Sequence, residues 1–220
     1  MEGGLRLSKE IGVLAIGSHE ERHGAALPPD TDAKIATYVA REASKRTGAK
    51  FLGVLKKSYE FPGINTGVHH ELAEVLDELR SVLKETKKMG IKAVVIVNGH
   101  GGNIPLREHV PLLEKELGMR LVFNSKIIEL EGPHAGTVEL SMGAALGITD
   151  ESKIDEHTDF TKYPEVGFVG LREARKRYRW AEKLAHQVEK EGVAVDREMG
   201  LKLLELAIDE VVRDIHKLQI

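Results

Sequence analysis

The sequence predicts an α/β fold in which helices cover a parallel sheet. Three observations carry that expectation. Apolar runs of strand length alternate with amphipathic helical stretches over four successive units, the pattern of a parallel sheet with right-handed crossovers. One of these runs, Lys92 to Val97, is continuous and β-branched, as a strand buried on both faces requires. It stops in Asn98-Gly99-His100-Gly101-Gly102-Asn103, so a histidine stands at the carboxyl end of a central strand, where open α/β sheets keep their active sites.

The first strand is expected at Gly12 to Gly17, and Ser18 to Pro29 reads as an irregular loop. Thr31 or Asp32 caps a helix to about Arg46, with Ile35, Tyr38, Val39 and Ala43 on one face and Gly48 as its stop. Phe51 to Leu55 follows as a strand and Tyr59 to Gly67 as a loop. A helix from about His69 to Met89 carries Leu72, Val75, Leu76, Leu79 and Leu83 at helical spacing. After the central strand, Asn103 as N-cap and Pro105 at the first helical position predict a helix to about Leu117. Met119 to Phe123 is the next strand, and Thr137 to Leu146 a small-residue helix. Thr149 to Gly170 shows little periodicity, and two charged amphipathic helices are expected over Leu171 to Lys190 and Arg197 to Leu218. No repeat or linker interrupts the chain, which reads as one domain over residues 1–220.

Composition narrows the function. A net charge of −3 argues against binding by phosphate neutralisation, so no nucleic-acid partner is expected. The sequence holds no cysteine, which excludes disulfides, thiolate metal sites and cysteine nucleophiles. The opening Met1 to Arg6 has no apolar signal core and no stretch reaches membrane-spanning length, so a cytoplasmic protein with no membrane partner is expected.

Ligand-type residues concentrate in four stretches at or near strand ends: Glu21-Arg22-His23-Gly24, Thr31-Asp32, His100, and His134-Ala135-Gly136-Thr137-Val138-Glu139. Imidazoles and carboxylates without thiolates suit Zn²⁺, Fe²⁺ or Mn²⁺. Bridging carboxylates permit two ions about 3.5–4 Å apart that share and acidify one water, which attacks a carbonyl without a serine or cysteine nucleophile. A second pattern competes. His19-Glu20-Glu21-Arg22-His23 is a literal H-E-x-x-H, the zinc-protease motif, which needs a helix to place both histidines on one face. With a strand ending before it and Pro28-Pro29 behind, no long helix fits, and His19 reads as a loop histidine. The glycine-rich turn lacks the third glycine of a dinucleotide fingerprint and the Gly-Lys-Ser/Thr of a phosphate loop, and no Gly-x-Ser-x-Gly elbow occurs.

In order and spacing, these residues resemble the creatininase-like metal-dependent amidohydrolases along most of the chain. The matching pieces are Glu21-x-His23-Gly24, Leu27-Pro28, Thr31-Asp32, Phe61-Pro62-Gly63, Asn98 to Asn103, and His134-Ala135-Gly136-x-x-Glu139-x-Ser141. The resemblance implies a three-layer α/β/α fold with a mostly parallel central sheet, and two divalent ions, Fe²⁺ and/or Zn²⁺ or else Mn²⁺. It implies Glu21, His23, Asp32 and His100 as metal ligands, with Asp32 bridging. It further implies Glu139 as the remaining ligand, with a part in catalysis, and His134 as a catalytic acid/base residue. There is a departure: creatininase itself has a ligating glutamate two places after the histidine of the central turn, where this chain has Gly102. That weakens a creatinine assignment and shifts weight to Glu139. The compact size and the His-Ala-Gly-x-x-Glu stretch are most similar to the archaeal branch of the family. That branch removes the formyl group from a formylaminopyrimidine ribonucleotide on the route to riboflavin and the deazaflavin cofactor. The resemblance thus implies a small-molecule pyrimidine nucleotide as substrate and a homo-oligomer. The rivals are an amidohydrolase of a cyclic amide such as creatinine and, outside catalysis, a metal-binding or scaffolding protein.

The other histidines carry less. His69-His70 reads as structural or solvated, and His109, His186 and His216 as helix-surface residues, while His157 is free to reach the site. The run Arg172, Arg175, Lys176, Arg177 and Arg179 is interspersed with Glu173 and Glu182 and reads as a solvated helix face. Which residue meets the 5′-phosphate is left open.

Overall fold

The computed structural model describes residues 10–219, so the expectation for Met1 to Arg6 lies outside the described residues. Four strands, β1 (Ile11–Ile16), β2 (Lys50–Val54), β3 (Ala93–Asn98) and β4 (Arg120–Asn124), form one parallel sheet in the order β2-β1-β3-β4. β1 and β3 are the inner strands, and every residue of both is buried, as their unbroken apolar runs predict. They pair in unbroken register from Ile11 opposite Ala93 to Ile16 opposite Asn98.

The helices are α1 (Thr31–Thr47), α2 (Leu72–Lys88), α3 (Val110–Leu117), α4 (Lys126–Glu131), α5 (Thr137–Leu146), α6 (Ile154–His157), α7 (Arg172–Arg177), α8 (Arg179–Glu191) and α9 (Arg197–Leu218). Alternation along the strands divides the core in two. Val13, Ala15, Val95 and Val97 pack with Ile35 and Val39 of α1 and Leu204, Ile208 and Val211 of α9. Leu14, Ile16, Val94 and Ile96 pack with Val75, Leu79 and Leu83 of α2 and Leu113 of α3. The result is the expected α/β/α sandwich.

Four expectations need correction. Asp30, not Thr31 or Asp32, is the N-cap of α1, and it makes no side-chain cap bond. Asp32 falls in the first turn instead, where the positive end of the helix favours a carboxylate. α2 begins at Leu72 rather than His69, because Glu71 and Glu74 form a reciprocal capping box. No α-helix starts at Pro105; Gly101–His109 is a 3₁₀ segment and α3 begins at Val110. Pro105 has no amide to donate, and Asn103, the expected cap, accepts from Tyr59 N at 2.9 Å instead. Finally, Leu171 to Lys190 is broken at Tyr178 (φ −122°, ψ 114°) into α7 and α8. The Tyr178 hydroxyl donates to Pro62 O at 2.8 Å, which draws that residue out of helical geometry. The short helix α4, at the carboxyl end of β4, had no sequence signal long enough to declare it.

The central turn sits against α1 so closely that Gly99 has no room for a side chain. A Cβ there would stand 2.6 Å from Asp32 O and 2.9 Å from Ala36 Cβ. Gly99→Ala is therefore expected to lose about 1–3 kcal/mol of stability, read as a lower midpoint in urea unfolding.

Candidate active site

Each strand delivers side chains from its carboxyl end to one buried cluster. β1 leads into the loop carrying Glu21 and His23, and then into Asp32 on α1. β2 leads into the loop of Tyr59, Glu60 and Phe61. β3 ends at Asn98, just before His100, and β4 leads through α4 to Glu131, His134 and then Glu139 on α5. Asn98 shapes the central turn: its Nδ2 donates to His100 O at 2.9 Å and its Oδ1 accepts from His100 N at 3.2 Å. Gly102 lets the second loop close over it, since a Cβ there would stand 2.2 Å from Tyr59 O and 2.5 Å from His100 Nε2.

Asp32 is the hub. Its Oδ1 is 2.9 Å from His23 Nε2, which lies 3.5 Å from Glu139 Oε1. Its Oδ2 is 2.8 Å from His100 Nδ1, which lies 2.9 Å from Glu21 Oε2. Two donor triads thus share one carboxylate, and all five side chains are buried. The outer nitrogen of each imidazole is fixed by backbone: His23 Nδ1 donates to Glu21 O and His100 Nε2 donates to Tyr59 O, both at 3.0 Å. Such bonds aim the inner nitrogen and set its tautomer, as the outer partners of metal-binding histidines do.

The electrostatics follow from burial. Burial opposes charge on His23, but Asp32, by charge and hydrogen bond, and then Glu139 outweigh it and hold the imidazole well above its usual pKa. His100 is raised in the same way by Glu21 and Asp32 against burial. Glu21 is held well below the usual carboxylate range: burial opposes this, and the charges of His100, His134 and His23 overcome it. Its Oε2 is buried yet lacks an aligned hydrogen bond. Carboxylate oxygens and imidazole nitrogens converging in this way are a donor set that fits divalent cations.

Beside the cluster lies a cavity of about 400 Å³, lined among others by Phe61, Ile104, His134, Phe168 and Trp180. His134 Nε2 donates to Arg22 O at 2.9 Å, and its ring stacks on Phe168 with centroids 5.4 Å apart. Two non-glycine residues at positive φ flank this wall, Ala135 (50°) and Phe168 (61°). Ala135 is held in that conformation from both sides, since its amide donates to Glu139 and its carbonyl accepts from His157 Nε2 at 2.8 Å.

A sequence match to the creatininase family (creatinine amidohydrolase) spans residues 4–215. The chain belongs to that family. It is 49% identical over 209 residues to the 2-amino-5-formylamino-6-ribosylaminopyrimidin-4(3H)-one 5′-monophosphate deformylase of Methanobrevibacter ruminantium, covering 94% of this chain and 89% of that one. To the protein of the same name from Methanothermus fervidus it is 46% identical over 209 residues, covering 94% and 84%. The fold is also that of solved creatinine amidohydrolase (creatininase), with a TM-score of 0.70 at 18% identity over 98% of this chain and 93% of that one. A structure described as "Creatininase Mn" gives the same TM-score of 0.70, with 18% identity and 98% and 93% coverage.

In this creatininase-family chain, the five residues Glu21, His23, Asp32, His100 and Glu139 come together, with His134 beside them. His19 does not join them: its Nε2 lies 2.9 Å from Leu55 O, and the His19–His23 stretch is not helical, so the protease pattern fails on geometry. His157 stops short as well, accepting from Ala26 N and donating to Ala135 O as a buried clamp. The expectation for His69 is corrected. Its ring lies parallel to that of His100 at 5.3 Å, and with Glu21, Glu60 and His100 it forms a further group of converging donors. Burial, then the charge of His100, pushes its pKa down to about 4 against the pull of Glu21. Glu60 and Glu131 were not foreseen either. Burial, with Glu21 adding to it and His100 opposing, pushes Glu60 up to about 7. Burial and the charges of Glu139 and Asp32 hold Glu131 well above the carboxylate range. Neither follows from a motif; the position of Glu60 beside Phe61-Pro62-Gly63 was the sole hint.

Because His23 and His100 are held protonated, a cation must displace their protons to bind. Affinity for Zn²⁺ or Mn²⁺ is therefore expected to rise with pH through and above the ordinary imidazole range, with protons released. Calorimetric titration of chelator-treated protein in two buffers of different ionisation heat checks this. Equal heats in both buffers contradict it.

Proposed function

We propose that this chain is a metal-dependent deformylase, which hydrolyses the formamido group of 2-amino-5-formylamino-6-ribosylaminopyrimidin-4(3H)-one 5′-monophosphate to formate and the diaminopyrimidine nucleotide. The observation that carries the reading is the pair of buried donor triads sharing Asp32 at the wall of a ligand-sized cavity, in a chain about half identical to deformylases. Glu21, Asp32 and His100 would hold one divalent cation, and His23, Asp32 and Glu139 the other, as Fe²⁺ or Zn²⁺, with Mn²⁺ as a substitute. When bound, the cations polarise the formyl carbonyl and acidify a water.

The chain's own residues supply the rest. Phe61, Phe168 and Trp180 give flat apolar faces for a heteroaromatic ring and exclude bulk water. The water oxygen adds to the formyl carbon, the carbon–nitrogen bond breaks, and the departing nitrogen takes up a proton. With its Nε2–H committed to Arg22 O, His134 has Nδ1 as the nitrogen that carries that proton. The Ala135 amide, by holding Glu139 Oε2, turns the other oxygen of Glu139 toward His23.

The reading includes a single domain over residues 1–220, a cytoplasmic setting and a homo-oligomer. No helix among the described residues is long and apolar enough to cross a membrane.

Asp32→Ala is expected to lower formate release by more than about a hundredfold and to leave less than one cation per chain by elemental analysis, with the far-ultraviolet spectrum kept. His134→Ala should keep the metal and lose about 10²- to 10⁴-fold in kcat. Incubation of the native protein with creatinine and with the formamido nucleotide separates the family's two activities. Creatine without formate overturns the reading, and neither product from metal-loaded protein favours a binding or scaffolding role.

A further inference from the structure

The cavity holds a buried carboxyl group that the chemistry above leaves unused. Among the described residues, four carboxylates line it, Glu21, Glu60, Glu129 and Glu131, and no lysine or arginine does. Three of them are accounted for. Glu21 belongs to a donor triad and accepts from Thr66 Oγ1 at 2.7 Å. Glu60 Oε1 accepts from Phe61 N at 2.6 Å. Glu129 has a largely exposed side chain and pairs with Lys126. Glu131 remains: it is 8% exposed, and its Oε2 is buried with no hydrogen-bond partner. Burying a polar atom without a partner is costly, so an oxygen kept that way in a pocket wall marks a place where a ligand donor belongs.

The charge of the cavity orients the ligand. Among the described residues no lysine or arginine lines the cavity to receive a phosphate, so the nucleotide enters ring first with its phosphate toward solvent. The ribosylamino arm leaves the ring at C6, which makes the opposite atom, N3, the innermost. N3–H and the adjacent 2-amino group present two parallel N–H donors. The 5-formylamino group, next to C6, lies to the side.

We propose that Glu131 is the substrate-recognition residue of this site, its carboxyl accepting from the N3–H and 2-amino donors of the aminopyrimidinone ring. The proposal rests on the deformylase reading and adds the determinant that selects a guanine-like ring edge. A carboxylate accepts both donors in the planar two-bond geometry, and even a protonated carboxyl accepts one. Its place at the end of α4, directly before the Pro133-His134 turn, ties recognition of the ring to the residue that serves the departing nitrogen.

The test compares the formamido nucleotide with its 2-deamino analogue on metal-loaded protein. Native enzyme should prefer the 2-amino compound by about 10- to 100-fold in kcat/KM, the range of a hydrogen bond to a charged group. In Glu131→Gln that preference should fall to within about threefold of unity, chiefly through KM, with cation content per chain unchanged. Native enzyme that releases formate from both compounds alike overturns the assignment without any variant being needed. Loss of a cation from Glu131→Gln also overturns it, and makes Glu131 a metal ligand. Native enzyme that releases formate from neither defeats the deformylase reading itself, so the two failures are distinguishable.

Discussion

A single carboxylate, that of Asp32, stands between two imidazoles, and the rest of the structure serves to keep it there. Its two oxygens are claimed separately, Oδ1 by His23 and Oδ2 by His100. A buried anion is tolerable only when opposite charge and hydrogen bonds surround it. The fold supplies these from two neighbouring strand ends, those of β1 and β3. The first turn of α1 carries Asp32, the close approach of Gly99 to that turn sets the height of His100 above it, and the loop after β1 swings His23 across. The contact of His100 with Asp32 joins residues 68 apart in sequence.

Around this hub, backbone groups do the aiming. Carbonyls of Glu21 and Tyr59 hold the outer nitrogens of His23 and His100, while the Ala135 amide holds Glu139 and the Arg22 carbonyl holds His134. Side chains pinned by main chain lose little further freedom when a ligand binds, which is the physical content of preorganisation. The positive φ of Ala135 and Phe168 belongs to the same arrangement: local strain, held by His157 from beneath, puts an amide and an aromatic face where the pocket uses them.

Much of this was legible in the chain. The inner strands announced themselves because burial on both faces demands continuous apolar runs, and α5 and α9 fall where small-residue composition and amphipathic spacing placed them. The donor residues were legible because they sit in short motifs tied to strand ends. Less could be read where the deciding contact is distant. The break at Tyr178 depends on Pro62, the 3₁₀ segment after His100 depends on Tyr59 claiming the Asn103 side chain, and His69 enters the site by lying against His100. Each involves a partner more than thirty residues away along the chain, beyond any periodicity.

The sequence by itself determined the alternation of strands and helices around a parallel sheet, the donor types available and the exclusion of thiol chemistry, since these follow from side-chain chemistry and from patterns that repeat every two or every 3.6 residues. Tertiary structure alone decided that one oxygen of Asp32 faces each histidine, that the neighbouring cavity is acidic and lined by aromatic rings, and that Glu131 keeps an oxygen unpaired within it. Distances between loops, and the desolvation that loops impose on one another, exist only once the sheet has brought its four carboxyl ends to a common edge.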